Sequence, residues 1–197
     1  LDENLREEMR LEIDNIQRML GVTTIFVTHD QREALSMSDK IVVMEGGKKQ
    51  QEGGPEEVYN NPANHFVADF LGHSNFVDGV IQSRDGEGYR VKLENGNELM
   101  AEGGDWREGD AVEVVVRAQK LDIVHRDAHQ TDEAINCFFG KVKERSYMGG
   151  EVSYFVELEN GTVLHVIGIV KTKPFRRGDP VAVTAPPRHC KLLRKEV

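Results

Sequence analysis

The sharpest local signal in the sequence is Ile25-Phe26-Val27-Thr28-His29-Asp30-Gln31-Arg32-Glu33-Ala34-Leu35, with His29 at its centre. An imidazole in such a setting can hydrogen-bond a ligand or take part in catalysis. Taken alone, a histidine here is more often a structural hydrogen-bonder than a catalyst, and it is the surrounding motifs that shift the balance. His65, His73, His125, His129, His165 and His189 are scattered without a readable Ser, Cys or metal partner, which disfavours an independent hydrolase or metalloenzyme. Cys137 and Cys190 lie far apart with no CxxC, so neither a zinc site nor a disulfide framework is indicated and a reducing compartment is expected. No GxxxxGK[ST] occurs, so the sequence holds no glycine-rich loop to cradle β- and γ-phosphates.

Positioning His29 falls to the elements around it. Leu5, Met9, Ile13, Ile16 and Leu20 recur at helical spacing and form one apolar stripe on a helix that ends at Gly21 and packs on something. Val22 to Thr28 is a β-branched and aromatic run of the kind buried on both faces of a parallel sheet. Such a strand would deliver His29 to its exposed carboxyl end, where ligands of open α/β sheets sit. Asp30 followed by Glu33 predicts a capped helix to about Met37. Lys40 to Glu45 predicts another buried strand, Gly46-Gly47 a turn and Lys48 to Glu52 a returning strand. Pro55 opens a short helix through Tyr59, and Asn64 starts another that Gly72 closes.

From Asn75 the period changes from helical to alternating, with turns every 8 to 12 residues or so, as in a small barrel or sandwich. The segment repeats itself. Phe76, Gly79, Val80 and Val91 to Gly96 return as Phe139, Gly140, Val142 and Val156 to Gly161, and Gly109-Asp110-Ala111-Val112 returns as Gly178-Asp179-Pro180-Val181. Two similar β-lobes are expected, each with an Asn-Gly hairpin in a type I′ turn.

Charge and composition narrow the partners. The chain carries 34 acidic against 25 basic residues, a net charge of −9, which argues against a nucleic-acid backbone or anionic lipid as its main partner. An OB-type nucleic-acid binder would also need a basic groove with stacking aromatics, and Trp106 is the only tryptophan. No apolar run approaches the roughly 20 residues that cross a bilayer. The start at Leu1-Asp2, directly before a helical pattern, reads as a truncation.

Leu1-Asp2 before an amphipathic helix, the strand ending in Thr-His-Asp-Gln, and Ser38-Asp39-Lys40-Ile41-Val42-Val43-Met44 resemble the D-loop, switch-histidine loop and following strand of ABC ATPases. The likeness continues through Gly53-Gly54-Pro55-Glu56-Glu57-Val58-Tyr59 and Phe66-Val67-Ala68-Asp69-Phe70-Leu71-Gly72, although Gly54 stands where Thr or Ser is usual. Val115-Val116-Arg117-Ala118-Gln119-Lys120-Leu121 looks like the "VRPE" turn of the appended TOBE domain, with Ala118 and Gln119 departing from it. Phe139 to Gly150 resembles most the spermidine/putrescine importer ATPases.

The resemblance implies an α/β remnant of a P-loop ABC ATPase domain over residues 1–72 and an all-β tandem OB-like TOBE domain over 73–197. It implies that His29 contacts the γ-phosphate and that Asp2 reaches across a dimer, although Asp2 can equally be a plain helix cap. ATP and Mg2+ would belong to the full-length protein and not be bound by this piece alone, which would be inactive. A homodimer through both domains, transmembrane permease subunits and, indirectly, a solute-binding protein are implied at the cytoplasmic face of the inner membrane, with no nucleic acid. The alternatives are a sulfate, ferric iron or sugar importer, or an OB-like module that binds a small oxyanion or a regulator.

Overall fold

A computed structural model describes residues 3–128, 135–170 and 174–195. The chain divides into two compact units, Leu1–Leu71 and Gly72–Val197.

The first unit contains helices α1 (Glu3–Leu20), α2 (Gln31–Met37), α3 (Pro55–Asn60) and α4 (His65–Phe70) and a hairpin of β1 (Ile41–Glu45) and β2 (Lys48–Gly53). Gly46 and Gly47 both have positive φ, 54° and 76°, and close that hairpin without the steric cost a Cβ would bring. Ile41 and Val43 point inward to Val58, Val67 and Leu71, with Leu35, Phe66 and Phe70 around them. Asn64 caps α4 by accepting from Val67 N at 3.0 Å.

Three expectations for this unit fail. Val22 to Thr28 forms no strand, and Ile25 and Val27 are 90% and 91% exposed. A run of this composition is a strand only between partners that take up its N–H and C=O groups, and the first unit's described sheet is the β1–β2 hairpin. For the same reason β1 is buried on one face only, with Val42 49% and Met44 59% exposed. The apolar stripe of α1 is also exposed at Leu5, Met9, Ile13, Ile16 and Leu20.

Among its described residues the second unit is all β apart from 3-10 turns. A closed barrel has the strand order β12 (Cys190–Arg194), β5 (Glu98–Glu102), β4 (Gly88–Leu93), β3 (Ser74–Asp85), β6 (Ala111–Arg117). A five-stranded sheet has the order β10 (Val163–Ile169), β9 (Glu151–Leu158), β8 (Asn136–Met148), β11 (Pro180–Ala185), β7 (Asp122–His125). Each lobe therefore takes a strand from outside its own run. β7 follows the first lobe in sequence and pairs with β11 of the second, whereas β12 follows the second lobe and pairs with β6 of the first. The exchange joins the two lobes in one core, in which Val91, Val112 and Val114 share a cluster with Val142, Val156 and Val181.

The repeat is real but its register differs from the sequence matching. Gly79 faces Leu93 and Val112, as Gly140 faces Leu158 and Val181. Asn75 then corresponds to Asn136 and Ile81 to Val142, while Phe76 matches Cys137 and Phe139 matches Asp78. A bulge falls at the same place in both lobes, between Ile81 and Ser83 and between Val142 and Glu144. The Asn-Gly turns also differ from type I′. No described non-glycine residue has positive φ, so Asn95 and Asn160 cannot occupy its first central position, while Gly96 and Gly161 both sit at 87°. Each turn is closed by Gly N to Leu O, at 3.0 Å from Gly96 to Leu93 and 2.9 Å from Gly161 to Leu158. Asn95 and Asn160 use their side chains instead, accepting from Asn97 N and Thr162 N at 3.1 and 3.0 Å.

Candidate functional site

His29 lies on the exposed bend between the unpaired run and α2. Its neighbours are tied down. Asp30 Oδ1 accepts from Arg32 N at 2.9 Å and Glu33 N at 3.3 Å, which caps α2. The Glu33 carboxylate accepts from Thr28 Oγ1 at 2.6 Å, and Thr28 Oγ1 accepts from Asp30 N at 3.0 Å. The expected Asp-Glu capping box is thus extended through a threonine hydroxyl. Arg10 of α1 reaches Asp30 at 3.8 Å and Glu33 at 3.6 Å. The Asp30 carboxyl is held below its ordinary range, first by the Glu33 N–H and then, against the opposing pull of desolvation, by the Arg32 N–H and the charge of Arg10. A bend fixed at both ends presents the His29 imidazole to solvent on a short, constrained loop.

Asp2 lies outside the described residues. Arg10 and the Thr28 hydroxyl were not legible as parts of this loop, because nothing in their spacing predicts a helix-to-loop ion pair. Among the described residues no group of three His, Cys, Asp or Glu side chains is placed to hold a metal ion. His29 supplies one side-chain hydrogen-bonding group on this bend, and the sequence contains no GxxxxGK[ST] loop.

In the second unit the repeat builds a reciprocal clamp. Asn75 donates to His165 O at 2.8 Å and accepts from His165 N at 2.7 Å, binding the first lobe to β10 of the second. Asn136 donates to Met100 O at 2.8 Å and accepts from Met100 N at 2.7 Å, binding the second lobe to β5 of the first. Both asparagines are buried. A buried amide that satisfies both groups of one peptide fixes strand position much as a ladder pair does. The His165 ring shares a 2.7 Å hydrogen bond with Ser153 Oγ, stacks on Phe155 at 4.6 Å and meets His73 edge-on at 5.1 Å. Burial, then the neighbouring His73, push its pKa below the ordinary value.

The comparisons with known proteins bear on both units. A family model for the TOBE domain matches residues 114–193. The spermidine/putrescine import ATP-binding protein PotA of Clostridium acetobutylicum is 41% identical over 197 residues, covering 100% of this chain and 51% of that protein. The protein of the same name from Pseudomonas aeruginosa is 39% identical over 186 residues, covering 92% of this chain and 51% of that protein. The chain is similar to these import ATP-binding proteins, and its residues 114–193 match the TOBE domain. It spans about half the length of the curated import ATP-binding proteins it matches. Among solved structures, the cytoplasmic molybdate-binding protein ModG with molybdate bound aligns at a TM-score of 0.56 and 17% identity, over 61% of this chain and 96% of that one. That likeness supports the tandem OB-like fold of the second unit alone.

Proposed function

We propose that the chain works within the ATP-hydrolysing subunit of an ABC importer for polyamines, its first unit belonging to an α/β nucleotide-binding domain and its second to a TOBE domain. The observation that carries this reading is the match to spermidine/putrescine import ATP-binding proteins over the whole chain at 41% identity. The geometry supports it: His29 is solvent-facing on a bend that Asp30, Glu33 and Thr28 hold in place. In a protein of the relatives' length, the exposed run Val22 to Thr28 would find strand partners and the stripe of α1 a cover. His29 would then donate to the γ-phosphate of ATP, with Mg2+ and the remaining phosphate contacts supplied by groups this sequence does not contain. Asp2 would reach the site across a homodimer, and the dimer would drive permease subunits from the cytoplasmic face of the membrane.

The test is uptake of labelled spermidine, putrescine, sulfate, ferric iron and maltose by a transporter whose ATPase has the relatives' length and contains this sequence. Polyamine uptake is expected, with His29→Ala lowering ATP turnover about 100- to 1,000-fold, the loss typical of a positioned donor. Uptake of another solute alone, or full turnover in His29→Ala, overturns the reading.

A further inference from the structure

The two lobes share strands, bulges and turns, so a position where they differ in charge is one the fold leaves free. One such difference is at the turn before β11. Phe175 N donates to Tyr154 Oη at 3.3 Å and Arg176 N to Asp179 Oδ2 at 2.8 Å, as Trp106 N donates to Tyr89 Oη at 3.3 Å and Arg107 N to Asp110 Oδ2 at 2.9 Å. Both turns close alike, with Gly178 N donating to Val142 O at 2.8 Å and Gly109 N to Ile81 O at 2.9 Å. On this common skeleton the second lobe carries Lys143, Glu144, Arg145, Arg176 and Arg177 around one open groove. The equivalent positions of the first lobe are Gln82, Ser83, Arg84, Arg107 and Glu108. Lys143 on β8 and Arg177 in the turn thus replace a neutral and an acidic residue, while Glu144 stands in place of the neutral Ser83.

Arg145 donates to Phe175 O at 3.1 Å, which fixes its guanidinium against the turn while leaving other N–H groups free. Lys143 pairs with Glu157 at 3.1 Å, but among the described residues no carboxylate pairs with the Arg176 or Arg177 side chain. Crowding like charges costs folding free energy, and in a chain of net charge −9 acidic partners were plentiful in composition. Guanidinium forks bind the paired oxygens of carboxylate and phosphate groups bidentately, and a compact polyphosphate offers several such oxygen pairs and a high charge to a cluster of this size.

We infer that the groove of Lys143, Arg145, Arg176 and Arg177 binds a compact polyphosphate anion. The inference goes beyond the transport reading and stands or falls separately from it. The probe is inorganic tripolyphosphate without magnesium, titrated calorimetrically at low ionic strength into the whole chain and into two variants. Lys143→Gln/Arg177→Glu installs the first lobe's residues in the second, and Gln82→Lys/Glu108→Arg does the reverse. One saturable site is expected in the parent, at least tenfold weakening in the first variant, and a second site in the other. In phosphate-free buffer the first variant should melt no lower than the parent, because the first lobe already accommodates those residues. Absence of saturable binding by the parent, or equal affinity in Lys143→Gln/Arg177→Glu, overturns the inference. So does retention on phosphatidylglycerol vesicles that tripolyphosphate fails to release.

Discussion

Replacing Asn75 by alanine removes one half of the reciprocal clamp and tests whether the two lobes are one cooperative body. The side chain makes two short hydrogen bonds, 2.8 and 2.7 Å, to the backbone of His165 and a longer one, 3.3 Å, to Val116 O. Each contributes about 1 kcal/mol net, and orphaning a half-buried N–H and C=O adds a desolvation cost of about 1 kcal/mol or more. Asn75→Ala should therefore destabilise by about 3 kcal/mol, corresponding to roughly 10 °C in melting temperature for a unit of this size. Asn136→Ala should cost a similar amount, since it loses contacts of 2.7 and 2.8 Å to Met100 and 3.3 Å to Cys190 Sγ. The double variant should lose less than the sum, because both clamps hold the same pair of lobes and the second has little left to hold once the first is gone. Urea unfolding followed by Trp106 fluorescence in the first lobe and by near-ultraviolet dichroism gives all three values. A loss below about 1 kcal/mol for Asn75→Ala would refute the reasoning, since the bonds would then exchange with water at no cost. Separate midpoints for the two probes in the parent would refute it too.

Two further outcomes follow from the same core. A Cβ added at Gly140 would sit 2.5 Å from Glu157 O and 3.0 Å from Val156 Cγ1, so Gly140→Ala should cost about 2 kcal/mol or more, whereas Gly150→Ala, with open space around it, should be near neutral; equal urea midpoints for the two would contradict the packing. His165 has a folded pKa below its ordinary 6.5, so below about pH 6.5 the unfolded chain takes up more protons than the folded one. Stability should fall as the pH drops through that value and level off below the folded pKa, and His165→Gln should flatten this part of the curve; parallel pH profiles for parent and variant would contradict the assignment.

What the sequence disclosed depended on whether the determinant was local. The α2 cap at Asp30, the Gly46-Gly47 turn and the start of α3 at Pro55 are each set by residues within one turn, and each formed where expected. The fate of Val22 to Thr28 is not local, because a buried strand is defined by neighbours and the described residues offer it none. Repeat detection met a similar limit. Val91 to Gly96 and Val156 to Gly161 match outright, but β3 and β8 are offset by four fewer residues, so residue identity paired Phe76 with Phe139 where hydrogen bonding pairs Asn75 with Asn136. At the candidate site, the exposed position of His29 was readable from its place between an apolar run and a capped helix, while the ion pairs of Arg10, nearly twenty residues earlier, were not.

The strand exchange explains why the repeat stays so regular in its bonds while its side chains drift. β12 closes the first lobe's barrel by pairing antiparallel to β6 and touching β5 at Lys191 and Glu102, and β7 borders the second lobe's sheet through β11. Because each lobe is completed by a strand from outside its own run, neither can change its register without breaking the other, and Asn75 and Asn136 lock that dependence in place. Surface residues carry no such constraint. Charge differences between equivalent surface positions are therefore the ones free to serve a ligand, which is why Arg177 opposite Glu108 is more informative than any of the shared core valines.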